Sequence, residues 1–208
     1  MTEDDARTWI DDSFGVSRGT LLARYAELLI AEAPRQNLVA ASTLDALWSR
    51  HFVDSAQLIP LAADAPRGTW LDVGSGAGLP GIVVGILLDD RPIVLCEPRS
   101  RRVAFLEQVI AALDLKSRIT VQRSMIESYH PPEPVAVVSA RAVAALPALL
   151  QSTAHCTGLS TIWVLPKGQK AHSEVVAARR KWQGVFHVEP SITQPESGIV
   201  VARGVRPK

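Results

Sequence analysis

From residue 69 onward, short unbroken apolar runs alternate with longer stretches in which apolar side chains return every three or four positions. The first pattern is that of buried strands and the second that of amphipathic helices. Strands are predicted over Thr69–Val73, Ile93–Glu97, Ile119–Gln122, Val135–Ser139, Ser160–Leu165, Phe186–Glu189 and Gly198–Arg203. Helices are predicted between them over Leu79–Leu88, Arg101–Leu113, Val143–Ala154 and Lys170–Trp182. Strand and helix in alternation require crossover connections, hence a mostly parallel sheet covered on both faces. Only a Pro/Ser/Thr-rich stretch separates the last two strands, which predicts an antiparallel hairpin at that end. The expected fold is therefore α/β and Rossmann-like, with seven strands.

Upstream of Pro66-Arg67-Gly68 the chain reads helical. Leu21, Leu22, Tyr25, Leu28 and Leu29 share one face of a helix that Pro34 stops. A second helical stretch starts at Ser42 or Thr43 and carries Leu44, Leu47, Trp48, Phe52 and Leu58. The organisation expected is a helical N-terminal extension over 1–66 and an α/β domain over 67–208, packed as one unit. Residues 1–19 give no indication of a contact.

Composition narrows the class but not the activity. The chain has 208 residues, 47% hydrophobic and 21% charged, which suits a soluble globular protein. Its apolar runs are far shorter than the roughly 20 residues that cross a bilayer, and the acidic start "MTEDDARTWIDD" is unlike a secretion signal. Cys96 and Cys156 lie in apolar surroundings without metal-ligand spacing, as expected of reduced thiols in a cytoplasmic protein. No metal site is expected. A net charge of +1 gives no overall attraction to nucleic acid, so any RNA site has to be a local basic patch.

The stretch "WLDVGSGAGLPGIVV" carries the chemistry. Gly74, Gly76 and Gly78 follow the first strand, and Gly76, Gly78 and Gly81 fit the spacing of a dinucleotide loop. Asp72 changes that reading. A carboxylate two residues before Gly74 suits the ammonium group of S-adenosylmethionine better than a pyrophosphate, which prefers uncompensated backbone donors. Glu97, ending the second strand, is positioned to accept hydrogen bonds from both ribose hydroxyls. After the third strand, Met125 and Ile126 can line an adenine slot, with Glu127 beside them as either a polar contact or plain surface. A nicotinamide-dependent reductase is the alternative on the same glycines; Asp72 and the lack of a Tyr-x-x-x-Lys pair argue against it. A non-catalytic RNA-binding module is the other alternative.

Several segments together resemble a known family: "NLVA" at Asn37–Ala40, "HFVDSAQL" at His51–Leu58, "LDVGSGAGLPGI" at Leu71–Ile82, "RRVAFLEQV" at Arg101–Val109, "SARAVAAL" at Ser139–Leu146 and "LPKG" at Leu165–Gly168. The resemblance runs from about Tyr25 to the C-terminus, and the family is glucose-inhibited division protein B, bacterial methyltransferases of guanine N7 in small-subunit (16S) ribosomal RNA. It implies a class I S-adenosylmethionine-dependent methyltransferase fold, a cytoplasmic enzyme and cofactor contacts from Gly74, Leu79, Ile126, Glu127 and Arg141. The implied partner is 16S ribosomal RNA, within a small ribosomal subunit or an assembly intermediate, and the enzyme is expected to act as a monomer.

That chemistry asks little of side chains. Guanine N7 is already a lone-pair nucleophile, so alignment rather than a general base is the main catalytic task. The chain accordingly lacks the Asn/Asp-Pro-Pro-aromatic motif of amine methylation and the Pro-Cys nucleophile of pyrimidine carbon methylation. Arg141 and Lys167, after the fourth and fifth strands, are the candidates for positioning. Arg141 can bridge cofactor and guanine O6 or sit in a surface ion pair; Lys167 can meet a phosphate or the base, or be a solvated turn lysine. His51, one helical turn from Asp54, reads first as part of a helix-face network toward the glycine loop, with RNA contact second. Arg99, Arg101 and Arg102 form an RNA-facing rim if they share it with Lys167.

Overall fold

The computed structural model describes all of residues 1–208. Its central sheet has seven strands in the order β3-β2-β1-β4-β5-β7-β6: β1 Trp70–Val73, β2 Ile93–Cys96, β3 Ile119–Gln122, β4 Val137–Ser139, β5 Ile162–Gly168, β6 Trp182–Pro190 and β7 Gly198–Pro207. All pairs from β3 to β5 are parallel, and β7 runs antiparallel to both β5 and β6. The predicted seven-stranded, mostly parallel sheet with a terminal hairpin is thus the observed one.

The helices are α1 Glu3–Phe14, α2 Val16–Glu32, α3 Val53–Ala56, α4 Leu58–Leu61, α5 Gly81–Leu87, α6 Ser100–Ala112, α7 Leu146–Thr153 and α8 Ala171–Ala178. The stretch expected as one helix from Ser42 is broken into a 3-10 turn over Ala41–Ala46, a π turn over Trp48–Phe52, and then α3 and α4. The helix expected over Lys170–Trp182 ends at Ala178, because Trp182 is drawn into the sheet opposite Pro207 and buried there.

The helices α1 and α2 do not form a separate layer. Ile10, Leu22, Leu29, Phe52 and Leu58 belong to the same contiguous core as Ile82, Leu106 and Val109 on one face of the sheet. Trp163, Leu149, Val175 and Phe186 build the core on the other face. Two polar ties reinforce the first junction: the buried Tyr25 hydroxyl donates to the Ala77 carbonyl at 2.5 Å, and Glu3 accepts from the backbone N–H groups of Trp48 and Ser49 at 2.9 and 2.8 Å.

Candidate active site

In an open parallel sheet, ligands bind outside the carboxyl ends of the strands where the strand order reverses. Here that point lies between β1 and β4, and the chain leaves both strands into unusual backbone. Gly74 and Gly76 take φ of +65° and +58° after β1, and Ala142 takes φ of +56° after β4. A positive φ is unfavourable for a residue with a Cβ, so the conformation at Ala142 is held by its surroundings.

A cavity of about 240 Å³ opens there, lined among others by Gly74, Glu97, Met125, Ile126, Ala142 and Val143. Glu97 is 2% exposed. Its carboxylate accepts from the Gly76 N–H at 2.9 Å and the Arg99 N–H at 2.9 Å, with the Arg102 guanidinium 3.9 Å away. A carboxylate at the tip of β2 is thereby fixed against the glycine loop. Met125 and Ile126 contribute apolar surface to the same lining.

Asp72 does not line this cavity. It is fully buried and lies beneath the loop. One oxygen accepts from the Gly81 N–H at 3.2 Å and the other from the Ser139 hydroxyl at 2.8 Å, so it ties β1 to the start of α5 and to β4. The approach is close enough that a Cβ on Gly81 would stand 2.8 Å from an Asp72 carboxylate oxygen, which accounts for that glycine. Burial raises the Asp72 pKa to about 6 against the pull of its hydrogen bonds and of Arg141. Gly78 and Leu79 are also buried under the loop, Gly78 against Tyr25 and Ile82, and neither lines the cavity. Glu127 is exposed outside it.

Arg141 faces a second cavity of about 490 Å³, which it lines with Asp54, Lys167, Glu174, Gln194 and others. Ala142 and Val143 belong to both cavity walls. The Arg141 guanidinium donates to His51 Nδ1 at 3.0 Å and lies 3.4 Å from Asp54 Oδ2. Asp54 Oδ1 in turn accepts from Gln57 at 3.0 Å and Thr193 at 3.2 Å. Arg141 is therefore the meeting point of the N-terminal helices, β4 and the β6–β7 connection. The network that His51 and Asp54 were expected to join runs to Arg141; the tie to the glycine loop comes from Tyr25. Ser55 donates to the His51 carbonyl and takes no part.

Lys167 is neither a solvated turn lysine nor free to meet RNA as it stands. Its ammonium donates to the Ala144 carbonyl and lies 3.3 Å from Glu174, whose carboxylate also accepts from the Leu146 N–H at 2.6 Å. Burial lowers the Lys167 pKa, partly offset by Glu174. Together the pair clamps the segment between β4 and α7. Lys167 does not line the cavity that Arg99, Arg101 and Arg102 surround. Sequence reasoning missed Glu174 and Thr193, which lie on segments that only the fold brings to this site, and Gln57, which is one helical turn from Asp54.

The family described as rRNA small subunit methyltransferase G matches residues 18–197. The chain is 43% identical over its whole length to a ribosomal RNA small subunit methyltransferase G from Rhizorhabdus wittichii, covering 95% of that protein. It is 44% identical to one from Sphingopyxis alaskensis, over 99% of this chain and 88% of the relative. Among solved structures, a protein from Corynebacterium glutamicum superposes with a TM-score of 0.64 at 16% identity, covering 97% of this chain and 96% of that one. The N-methyltransferase NodS from Bradyrhizobium japonicum, in complex with S-adenosyl-L-homocysteine, gives 0.54 at 11% identity over 74% and 86%. The last two likenesses concern the fold; the first three decide the family. The chain belongs to the rRNA small subunit methyltransferase G family.

Proposed function

We propose that this protein is an S-adenosylmethionine-dependent methyltransferase acting on N7 of a guanine in 16S ribosomal RNA. The observation that carries the proposal is the pair of cavities sharing the Ala142–Val143 wall: one has the makings of a nucleoside site, the other is polar and adjoining. The residues present fit the cofactor. Gly74 leaves no side chain where a Cβ would meet Val143 at 2.7 Å, Glu97 offers a carboxylate for two vicinal hydroxyls, and Met125 and Ile126 offer apolar surface for an adenine. Of the residues read from the sequence, Gly74, Glu97 and Ile126 are assigned direct contact, with Gly76 acting through Glu97. Asp72, Gly78 and Leu79 act by shaping the loop.

When bound, S-adenosylmethionine supplies a methyl group on a sulfonium. The protein's own part is to hold the guanine so that its N7 lone pair lies in line with that methyl, since no proton has to leave N7 first. Arg141 is assigned to the acceptor side, where a guanidinium can donate to guanine O6. Lys167 acts as a positioning residue through the segment it clamps.

We assign the RNA to a small ribosomal subunit or an assembly intermediate, the active species to a monomer, and the compartment to the cytoplasm. No helix of the chain is long and apolar enough to cross a membrane. Residues 1–66 and 67–208 are assigned to a single folding unit, because the N-terminal helices share the core of the α/β part.

The test is transfer of labelled methyl to small subunits from cells lacking the modification, with the site mapped by the strand cleavage that N7-methylguanine permits. One labelled guanine is the expected result. Cofactor binding with no label in RNA would overturn the proposal.

A further inference from the structure

A third cavity, of about 570 Å³, lies beyond the cofactor cavity and shares Pro98, Arg99 and Arg102 with it. Its lining contains Arg99, Arg101, Arg102 and Arg123, together with Gln36 and Asn37 from the N-terminal extension, and neither a hydrophobic side chain nor a carboxylate. Four guanidinium-bearing residues converging on one concavity repel one another unless an anion is shared among them. Of the four, only Arg102 has an acidic partner, the distant Glu97. Glu32, on the extension, feels the charge of Arg101, but its hydrogen bonds go to Arg35 and Gln36.

The cavity is also built, not merely charged. Gln36 donates to the Arg101 carbonyl at 3.2 Å and Arg101 donates to the Arg35 carbonyl at 3.3 Å, so the segment after α2 is pinned against the start of α6 as a lip. At that start the N–H groups of Ser100 and Arg101 have no acceptor in the chain, and the first turn of α6 carries no acidic residue to satisfy them.

We infer that this cavity is an anchor for a phosphodiester of the RNA that carries the target nucleotide. The inference rests on the proposed RNA methyltransferase activity, which supplies the polyanion; the cavity adjoins the Glu97 end of the cofactor cavity, and the acceptor cavity adjoins its Ala142–Val143 end, so the anchored phosphate lies across the cofactor from the target base. Arginine forks and free backbone N–H groups are the donors that phosphate oxygens take. Arg101 and Arg123 are the residues to vary, because they line this cavity without lining the cofactor cavity.

The experiment is filter binding of deproteinised small-subunit ribosomal RNA to the full-length protein over a series of KCl concentrations, with calorimetric S-adenosylmethionine binding in parallel. The double variant R101A/R123A is expected to weaken RNA binding about tenfold at low salt and to reduce the slope of log K against log salt by about 0.7 for each phosphate no longer neutralised. Cofactor affinity is expected to stay unchanged. Because arginine removal can also disturb packing, Ser100→Glu is the second variant. A carboxylate at the first position of α6 satisfies the helix terminus and raises or preserves the melting temperature, yet repels a phosphate, so RNA binding is expected to fall in a protein of undiminished stability. Unchanged RNA affinity and salt slope in both variants would overturn the anchor. If the wild-type protein binds RNA with these dependences but transfers no methyl group, the activity proposal fails and the anchor stands.

Discussion

Arg141 donates to the unprotonated Nδ1 of His51. The tautomer follows from the other side of the ring: the Thr43 hydroxyl spends its proton on the Ala40 carbonyl and can therefore only accept from His51 Nε2, 2.8 Å away. A neutral imidazole is thus written into the site. Burial, Arg141 and Arg50 lower its pKa to about 4.

The pH dependence of stability carries this signature. A histidine whose folded pKa is depressed contributes stability that is present above its ordinary value of 6.5 and is lost as pH falls toward 4. The loss is up to about 3 kcal/mol if the unfolded value is ordinary. Asp72 has the opposite sign, since its raised pKa favours the fold as pH falls through 6. Urea titrations of wild type and His51→Gln between pH 7 and 4 separate the two. The variant is expected to lose the destabilisation on acidification, and parallel curves would remove His51 as its source.

For Asp72 the expected effect of Asp72→Ala is a loss of stability of about 2–4 kcal/mol without any cofactor present, because two buried donors lose their acceptor. Denaturation of the ligand-free protein checks this. An unchanged midpoint, with only S-adenosylmethionine affinity reduced, would return Asp72 to direct contact with the ligand.

The glycines of the loop differ in what an added methyl meets. Gly81→Ala drives a Cβ to 2.2 Å from Leu95 and 2.9 Å from the Asp72 Cβ, so about 3 kcal/mol or more of destabilisation is expected. Gly76→Ala meets nothing nearer than Arg102 at 3.5 Å and bears only the strain of its positive φ, about 1 kcal/mol. Thermal melts of the two variants are expected in that order.

Lys167→Met preserves side-chain bulk but releases the Ala144 carbonyl and leaves Glu174 without its cation. A fall in kcat of about tenfold or more is expected, with cofactor affinity within about threefold and partial recovery in Lys167→Arg. Equal losses in cofactor affinity and stability, with kcat per folded molecule intact, would confine the clamp to a structural role.

Sheet and crossovers were legible because each strand is a bounded apolar run. The helix α1 was not read from its apolar pattern, since only Ala6 and Ile10 are buried along its acidic length. The signal that marks it, which the sequence reading did not use, is the capping pair: Thr2 and Asp5 satisfy one another's backbone N–H groups at 3.0 and 3.1 Å. Spacing alone puts Glu97 at the tip of β2 and Asp72 near the tip of β1, both beside the glycine loop; it does not say which donors surround each carboxylate, and those are Gly76 and Arg99 for the first and Gly81 and Ser139 for the second. Glu174 and Thr193 depend on separate segments meeting at Lys167 and Asp54, and no local pattern encodes that; Gln57, three residues from Asp54, was within reach of helical spacing.

The short segment after β4 has a thermodynamic consequence. Ala142 and Val143 are a common wall, so an occupant of either cavity that shifts them changes the free energy of filling the other. Linkage then requires reciprocity: whatever factor an occupant of one cavity imposes on the affinity of the other cavity for its ligand, that ligand imposes in return. A wall contributed by these two residues thereby couples the filling of the two cavities by one and the same factor, whichever is filled first.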